Sequence, residues 1–141
     1  MKKEQLVRHE FEPVYDKNSE ILILGSFPSV KSREQGFYYG HPQNRFWKVL
    51  AAIVQEKIPD SIEEKKEMLL RNHIAVYDVI WQCKITGSSD SSIKDVVPAD
   101  ITTIVELSKI RKIYANGKLA EKLFSKYQEK KVGIKAIGLP S

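Results

Sequence analysis

Four consecutive apolar residues, Ile21-Leu22-Ile23-Leu24, stop abruptly at Gly25-Ser26-Phe27-Pro28-Ser29, and this boundary constrains the fold more than any other stretch. An unbroken apolar run of that length matches a strand buried on both faces, as in parallel sheets. Glycine and proline then force a tight turn. At the carboxyl end of a parallel strand, such a turn lies where open α/β sheets bind ligands. Further strands are expected at Ile74-Ala75-Val76-Tyr77-Asp78-Val79-Ile80, Lys112-Ile113-Tyr114-Ala115 and Ile134-Lys135-Ala136-Ile137.

Helical patterns separate these runs. Beyond Pro42, Phe46, Leu50, Ile53 and Val54 recur at helical spacing until Pro59. Ser61-Ile62-Glu63-Glu64 has capping-box spacing and opens a charged helix to about residue 72. Asp100 is placed to cap a short helix holding Ile101, Ile104 and Val105, and Leu119, Leu123, Phe124 and Tyr127 mark another inner face. Alternation of strands and helices predicts a three-layer α/β/α fold with a central four-stranded parallel sheet. The first twenty residues read as an extended arm, and residues 30–40 and 87–92 as loops. The 141 residues make one domain.

Charge narrows the partner only modestly. Lys and Arg number 23 against 18 acidic residues, a net +5 that favours a polyanion but also suits an ordinary solvated surface. The sole cysteine, Cys83, leaves no intrachain disulfide and no all-cysteine cluster or zinc site. Met1-Lys2-Lys3-Glu4-Gln5 has no apolar segment behind its lysines, and no stretch reaches transmembrane length. A cytoplasmic, soluble, monomeric protein without membrane association is expected.

The chemistry concentrates after the first strand. The loop carrying Lys31, Arg33, Phe37, Tyr38 and Tyr39 leads into His41-Pro42-Gln43-Asn44-Arg45-Phe46-Trp47. Cations, aromatics and an amide beside a strand end suit a ligand with a base and a phosphate. The competing reading is an ordinary strand-loop-helix unit with surface aromatics. Asn44 would lie in the first turn of a helix, where an asparagine often does no more than cap.

Several of these pieces are shared with a known family. Gly25-Ser26-Phe27-Pro28-Ser29, Tyr39-Gly40-His41-Pro42-Gln43-Asn44-Arg45-Phe46-Trp47, Tyr77-Asp78-Val79-Ile80, Gly87-Ser88-Ser89-Asp90-Ser91-Ser92-Ile93 and Gly138-Leu139-Pro140-Ser141 stand in family order. The chain resembles the uracil-DNA glycosylase superfamily, most closely its hypoxanthine-DNA (deoxyinosine) glycosylase branch. The resemblance implies a monofunctional, cofactor-free and metal-free DNA repair glycosylase that flips a deaminated base from DNA and hydrolyses its N-glycosidic bond. It implies Asn44 as the catalytic residue and Tyr39 at the stacking position; Phe27 is expected beside the base, and His41 either donates to the base or bonds a backbone carbonyl, the commoner fate of a lone histidine. Gly25, Ser26, Pro28, Ser29, Lys31, Arg33, Pro140 and Ser141 would serve the DNA backbone.

A uracil- or mismatch-directed glycosylase and a non-catalytic nucleic-acid-binding relative are the alternatives. Two departures stand out. Phe27 replaces the water-positioning asparagine of the mismatch-specific branch. After the fourth strand only Leu139-Pro140-Ser141 stands where the resemblance implies a loop and a further helix. Cys83 alone also departs from branches with a cysteine-ligated iron–sulfur cluster. His9 and His73 lie outside the motifs and read as structural.

Overall fold

A computed structural model describes residues 3–40, 44–86 and 90–139, without the side chains of Val30, Lys31 and Asp90. Its centre is a parallel sheet formed by β2 (Ile21–Gly25), β3 (Ile74–Asp78), β6 (Lys112–Asn116) and β7 (Ala136–Leu139), in the order β3-β2-β6-β7. Register pairs Ile21 with both Ile74 and Lys112, so β2, β3 and β6 end together at Gly25, Asp78 and Asn116. The chain moves outward from β2 to β3 and then returns past β2 to β6. With right-handed crossovers, that reversal puts helices on both faces of the sheet. It also opens a crevice between β2 and β6 at their carboxyl ends, the switch point where such sheets bind ligands.

On the β2-to-β3 connection lie α1 (Val30–Gln35), α2 (Phe46–Val54) and α3 (Ile62–Arg71). Ser61 caps α3 by accepting from Glu64 N–H, as its capping-box spacing predicts. Between β3 and β6 come β4 (Ile80–Thr86), β5 (Lys94–Pro98) and α4 (Ile101–Glu106), the last capped by Asp100. Following β6, α5 (Lys118–Tyr127) and the short α6 (Glu129–Val132) lead into β7.

Several boundaries differ from the sequence reading. Residues 30–35 are helix rather than loop, because Ser29 caps them at one end and Gly36, with φ 72°, closes the other. The second strand breaks between Asp78 and Ile80, where Val79 N–H turns back to the Gly25 carbonyl. The core stripe of α2 is Trp47, Leu50 and Ala51, while Ile53 is 70% exposed.

The first residues are not a free arm. β1 (Glu4–Arg8) pairs antiparallel with β4, and β4 with β5, forming a three-stranded second sheet. Val14 then bonds Val76 in both directions and covers the open edge of β3, every residue of which is buried. No helix among the described residues is long and apolar enough to cross a membrane.

Candidate active site at the sheet switch point

The pocket at this crevice is built from the turn after β2. Gly25 ends the strand, its carbonyl held by Val79 N–H, and the Ser26 carbonyl accepts from Ile80 N–H. Both bonds fix the turn to the break after β3. Ser26, Phe27, Pro28, Ser29, Tyr39 and Asn44 line the pocket, with Ser32, Tyr38, Asp78 and Asn116 completing its wall. Gly25 has a strict steric reason: a Cβ there would sit 2.5 Å from Asp78 Oδ1 and 3.4 Å from Tyr39 Oη.

The turn is tied to the tyrosines through Ser32. Ser29 caps α1 by accepting from Ser32 N–H at 3.2 Å. The buried Ser32 hydroxyl accepts in turn from Gly40 N–H at 2.9 Å. That linkage fixes the Tyr39–Gly40 segment, where Tyr39 takes a left-handed backbone with φ 53°. Such a conformation is uncommon for a bulky residue. It turns Tyr39 into the pocket, where its ring stacks on Phe46 with centroids 3.9 Å apart and planes 13° off parallel. Tyr38 points into the core instead, donating from its hydroxyl to the Glu12 carbonyl at 2.8 Å.

The Tyr39 hydroxyl is buried without a protein partner. Asn116 lies near enough to favour its ionised form, but not in hydrogen-bonding geometry. Burial first, and then the Asp78 carboxylate, push this phenol far above its ordinary range. Burial thus favours the neutral phenol, which keeps its proton to donate.

Asn44 stands exposed on the rim, and its Oδ1 accepts from Phe46 N–H at 2.8 Å. Arg45 already has helical angles, φ −88° and ψ −2°. Asn44 is thus the functional cap of α2, with Phe46 in the second helical position. The bond holds the amide oxygen rather than the nitrogen, and a carbonyl oxygen keeps a second lone pair for another donor.

Not every expected residue joins the pocket. Arg33 lies behind the turn, its guanidinium 5.7 Å from the Phe27 ring centre, in a second small cleft with Ser26, Ser29, Ile85 and Ile93. His41, Pro140 and Ser141 lie outside the described residues, as does the Lys31 side chain. Residues 87–89 of the polar loop do too.

Four residues of the pocket wall, Ser32, Tyr38, Asp78 and Asn116, were not expected as site residues. Asp78 and Asn116 are polar residues ending apolar strand runs, which is a signal visible in the sequence. His9, read as structural, bonds Asp78 Oδ2 through Nε2 at 2.7 Å beneath the pocket. No pattern in the first ten residues points there. Among the described residues no group of three or more His, Cys, Asp or Glu is placed to hold a metal ion.

Known proteins share this architecture. A family described as the uracil DNA glycosylase superfamily matches residues 12–140. A hypoxanthine DNA glycosylase of Methanosarcina acetivorans is 38% identical over 117 residues, covering 82% of this chain and 74% of that protein. One from Methanosarcina barkeri is 37% identical over 110 residues, covering 77% and 70%. A solution NMR structure from Methanosarcina acetivorans, provisionally assigned as a uracil DNA glycosylase, superposes with a TM-score of 0.83 at 34% identity, covering 97% of this chain and 84% of that one. Fold and near full-length match agree: the chain belongs to the uracil DNA glycosylase superfamily.

Proposed function

We propose that this chain is a monofunctional DNA glycosylase that removes a deaminated base, hypoxanthine first among them, from DNA. The observation that carries the reading is one pocket combining the Gly25–Ser29 turn, Tyr39 and Asn44 at the sheet switch point. Its volume is about 170 Å³. The relatives named hypoxanthine DNA glycosylase support the choice of base.

Base removal requires the nucleotide to leave the stack and enter a pocket. In this reading Tyr39 and Phe27 flank the base. The small residues Gly25, Ser26 and Ser29 let the DNA backbone approach, with Pro28 stiffening the turn and Arg33 adding charge behind it. Lys31 adds charge for the phosphates, His41 donates to the base, and Pro140 and Ser141 serve the DNA backbone. Asn44 orients the water: its oxygen, already held by Phe46 N–H, accepts from the water with its second lone pair. The C1′–N bond breaks with its electron pair passing to the base, and the oriented water adds to C1′ while its proton passes through solvent to the departing base anion. Fixed polar groups at the right places are what such a path needs from the protein.

The test is a gel assay with labelled duplexes carrying deoxyinosine, deoxyuridine or a G·T mismatch. Alkali-labile sites at deoxyinosine are the expected result. Cleavage confined to deoxyuridine or to G·T would move the substrate to the uracil- or mismatch-directed class. Tight binding with no abasic site on any duplex would overturn the enzymatic reading.

A further inference from the structure

The small second sheet, β1-β4-β5, carries a tryptophan that the reaction sketched above does not use. Trp81 is 41% exposed, whereas the other tryptophan, Trp47, is 5% exposed and donates its indole N–H to the Tyr38 carbonyl at 3.2 Å. Around Trp81 in β4, Ile80, Cys83 and Ile85 are buried and make the core contacts of the strand. Leu6 of β1 and Val97 of β5 are exposed on the same three strands, so Trp81 is not a solitary apolar residue at the surface.

Cations are set among these apolar groups. Register places Arg8 and Val97 on either side of Gln82, and Leu6 and Lys94 on either side of Lys84. Side chains opposite one another across a ladder share a face of the sheet. Both lysines have carboxylate partners, Lys84 with Asp95 at 3.3 Å and Lys94 with Glu4 at 2.6 Å. Arg8 differs. Its Nε donates to Gln82 Oε1 at 2.7 Å, and its guanidinium carbon stands 5.7 Å from the centre of the Trp81 ring. Among the described residues it pairs with no carboxylate. A guanidinium held in this way is oriented without being neutralised, and its Nη groups keep their donors for a phosphate.

The backbone joins this corner to the pocket. Ile80 N–H donates to the Ser26 carbonyl at 3.0 Å, and the Trp81 carbonyl accepts from His9 N–H at 2.7 Å. Ile85, from the same strand, lines the cleft behind the turn together with Ser26, Phe27 and Ser29. Trp81 thus follows directly on the residue that anchors the turn proposed to face DNA.

We propose that Trp81 and Arg8 form an accessory platform for single-stranded DNA: the indole stacks on an undamaged nucleobase beside the lesion, and the Arg8 guanidinium takes an adjoining phosphate. This goes beyond the function proposed above and takes from it only that the polymer is DNA. Two observations favour nucleic acid over a protein as the occupant. An arginine without a carboxylate, beside an exposed indole, complements phosphate and base together, and the corner is continuous with the pocket turn. Every base has a π-face, so stacking of this kind tolerates any sequence. In a duplex those faces are covered by neighbouring bases, so only a strand already unstacked engages the indole. The platform gives the chain a hold on single strands that is separate from the base in the pocket.

The experiment follows tryptophan fluorescence of the full chain as a short undamaged single-stranded oligonucleotide is added, with the matching duplex as comparison. The single strand should quench Trp81. Trp81→Phe, which emits from Trp47 alone, should lose that quenching yet keep most of the affinity. Trp81→Leu stays apolar without a π-face and should weaken single-strand binding on the order of tenfold, with duplex binding changed by about twofold or less. Arg8→Gln should lower the salt slope of single-strand binding by about 0.7, the share of one phosphate. Melting temperatures establish that each variant is folded. Absent quenching, or a folded Trp81→Leu that binds the single strand as tightly as the parent, overturns the platform. So does an equal loss on single strand and duplex, which would make Trp81 part of the scaffold. If deoxyinosine is excised but Trp81→Leu changes nothing, the platform falls and the glycosylase stands. If no base is excised yet the single strand quenches Trp81 and its binding is weakened in Trp81→Leu, the platform stands and the glycosylase falls.

Discussion

The side chain of Asn44 carries two separable duties, one structural and one proposed as catalytic. Its oxygen caps α2 through Phe46 N–H, and loss of such a cap costs about 0.5–2 kcal/mol. Asn44→Ala should therefore melt earlier and also lose single-turnover excision on the order of 10²-fold, the scale for one preorganised polar group. Asn44→Ser keeps an oxygen able to accept from the helix, so its melting temperature should recover while excision stays low. Parallel melts and single-turnover assays check this. Recovery of both in the serine variant would reduce Asn44 to a cap. Nonspecific DNA affinity should change little in either variant, since phosphate contacts dominate it.

Among the elements, α1 is where capping and DNA contact meet. Ser29 is exposed at the pocket edge and caps the helix at the same time. Ser29→Ala should cost about 1 kcal/mol and loosen the Ser32–Gly40 link behind Tyr39. Ser29→Asp keeps a capping oxygen but sets a negative charge beside the proposed DNA path. It should retain the melting temperature and bind DNA more weakly, most visibly at low salt, as titrations at two salt concentrations would register. Unchanged affinity would leave Ser29 as a cap alone. The same region shows what the sequence made legible. The parallel strands, the capped helices and the Gly25, Tyr39 and Asn44 placements could be read from apolar runs, capping spacings and motif order. α1 was hidden because six residues without an apolar stripe carry no helical period. β1 and β5 were hidden because their alternation is short and mostly exposed. His9 depends on a pairing between distant strands that no local pattern encodes.

For the molecule as a whole, burial sets an alkaline limit. Tyr38, Tyr39 and Tyr77 are all raised above the ordinary phenol value, chiefly by burial and next by the Asp78 charge, with Tyr77 pushed up to about 12. Raised values mean the unfolded chain gives up these protons first. Their contribution is full below about pH 10, the unfolded value, and is lost as pH climbs through 10 toward 12. Melting temperatures followed upward from neutral pH should hold and then fall steeply across that window, with tyrosinate absorbance from the buried rings rising together with unfolding. Absorbance that rises well before unfolding would show the rings to be accessible. The pairing of β1 with β4 carries a different consequence, one of timing. His9 meets Asp78 across 69 residues and Arg8 meets Gln82 across 74, and contacts of such separation close late because loop entropy opposes them. On a ribosome β1 is made before its partner β4, which follows only after three helices and two strands. The strand leading to His9 must thus wait through some seventy residues of synthesis before it can dock. Meanwhile Glu4 and Arg8, charged at its two ends, are the residues that discourage an unpaired strand from joining the wrong sheet.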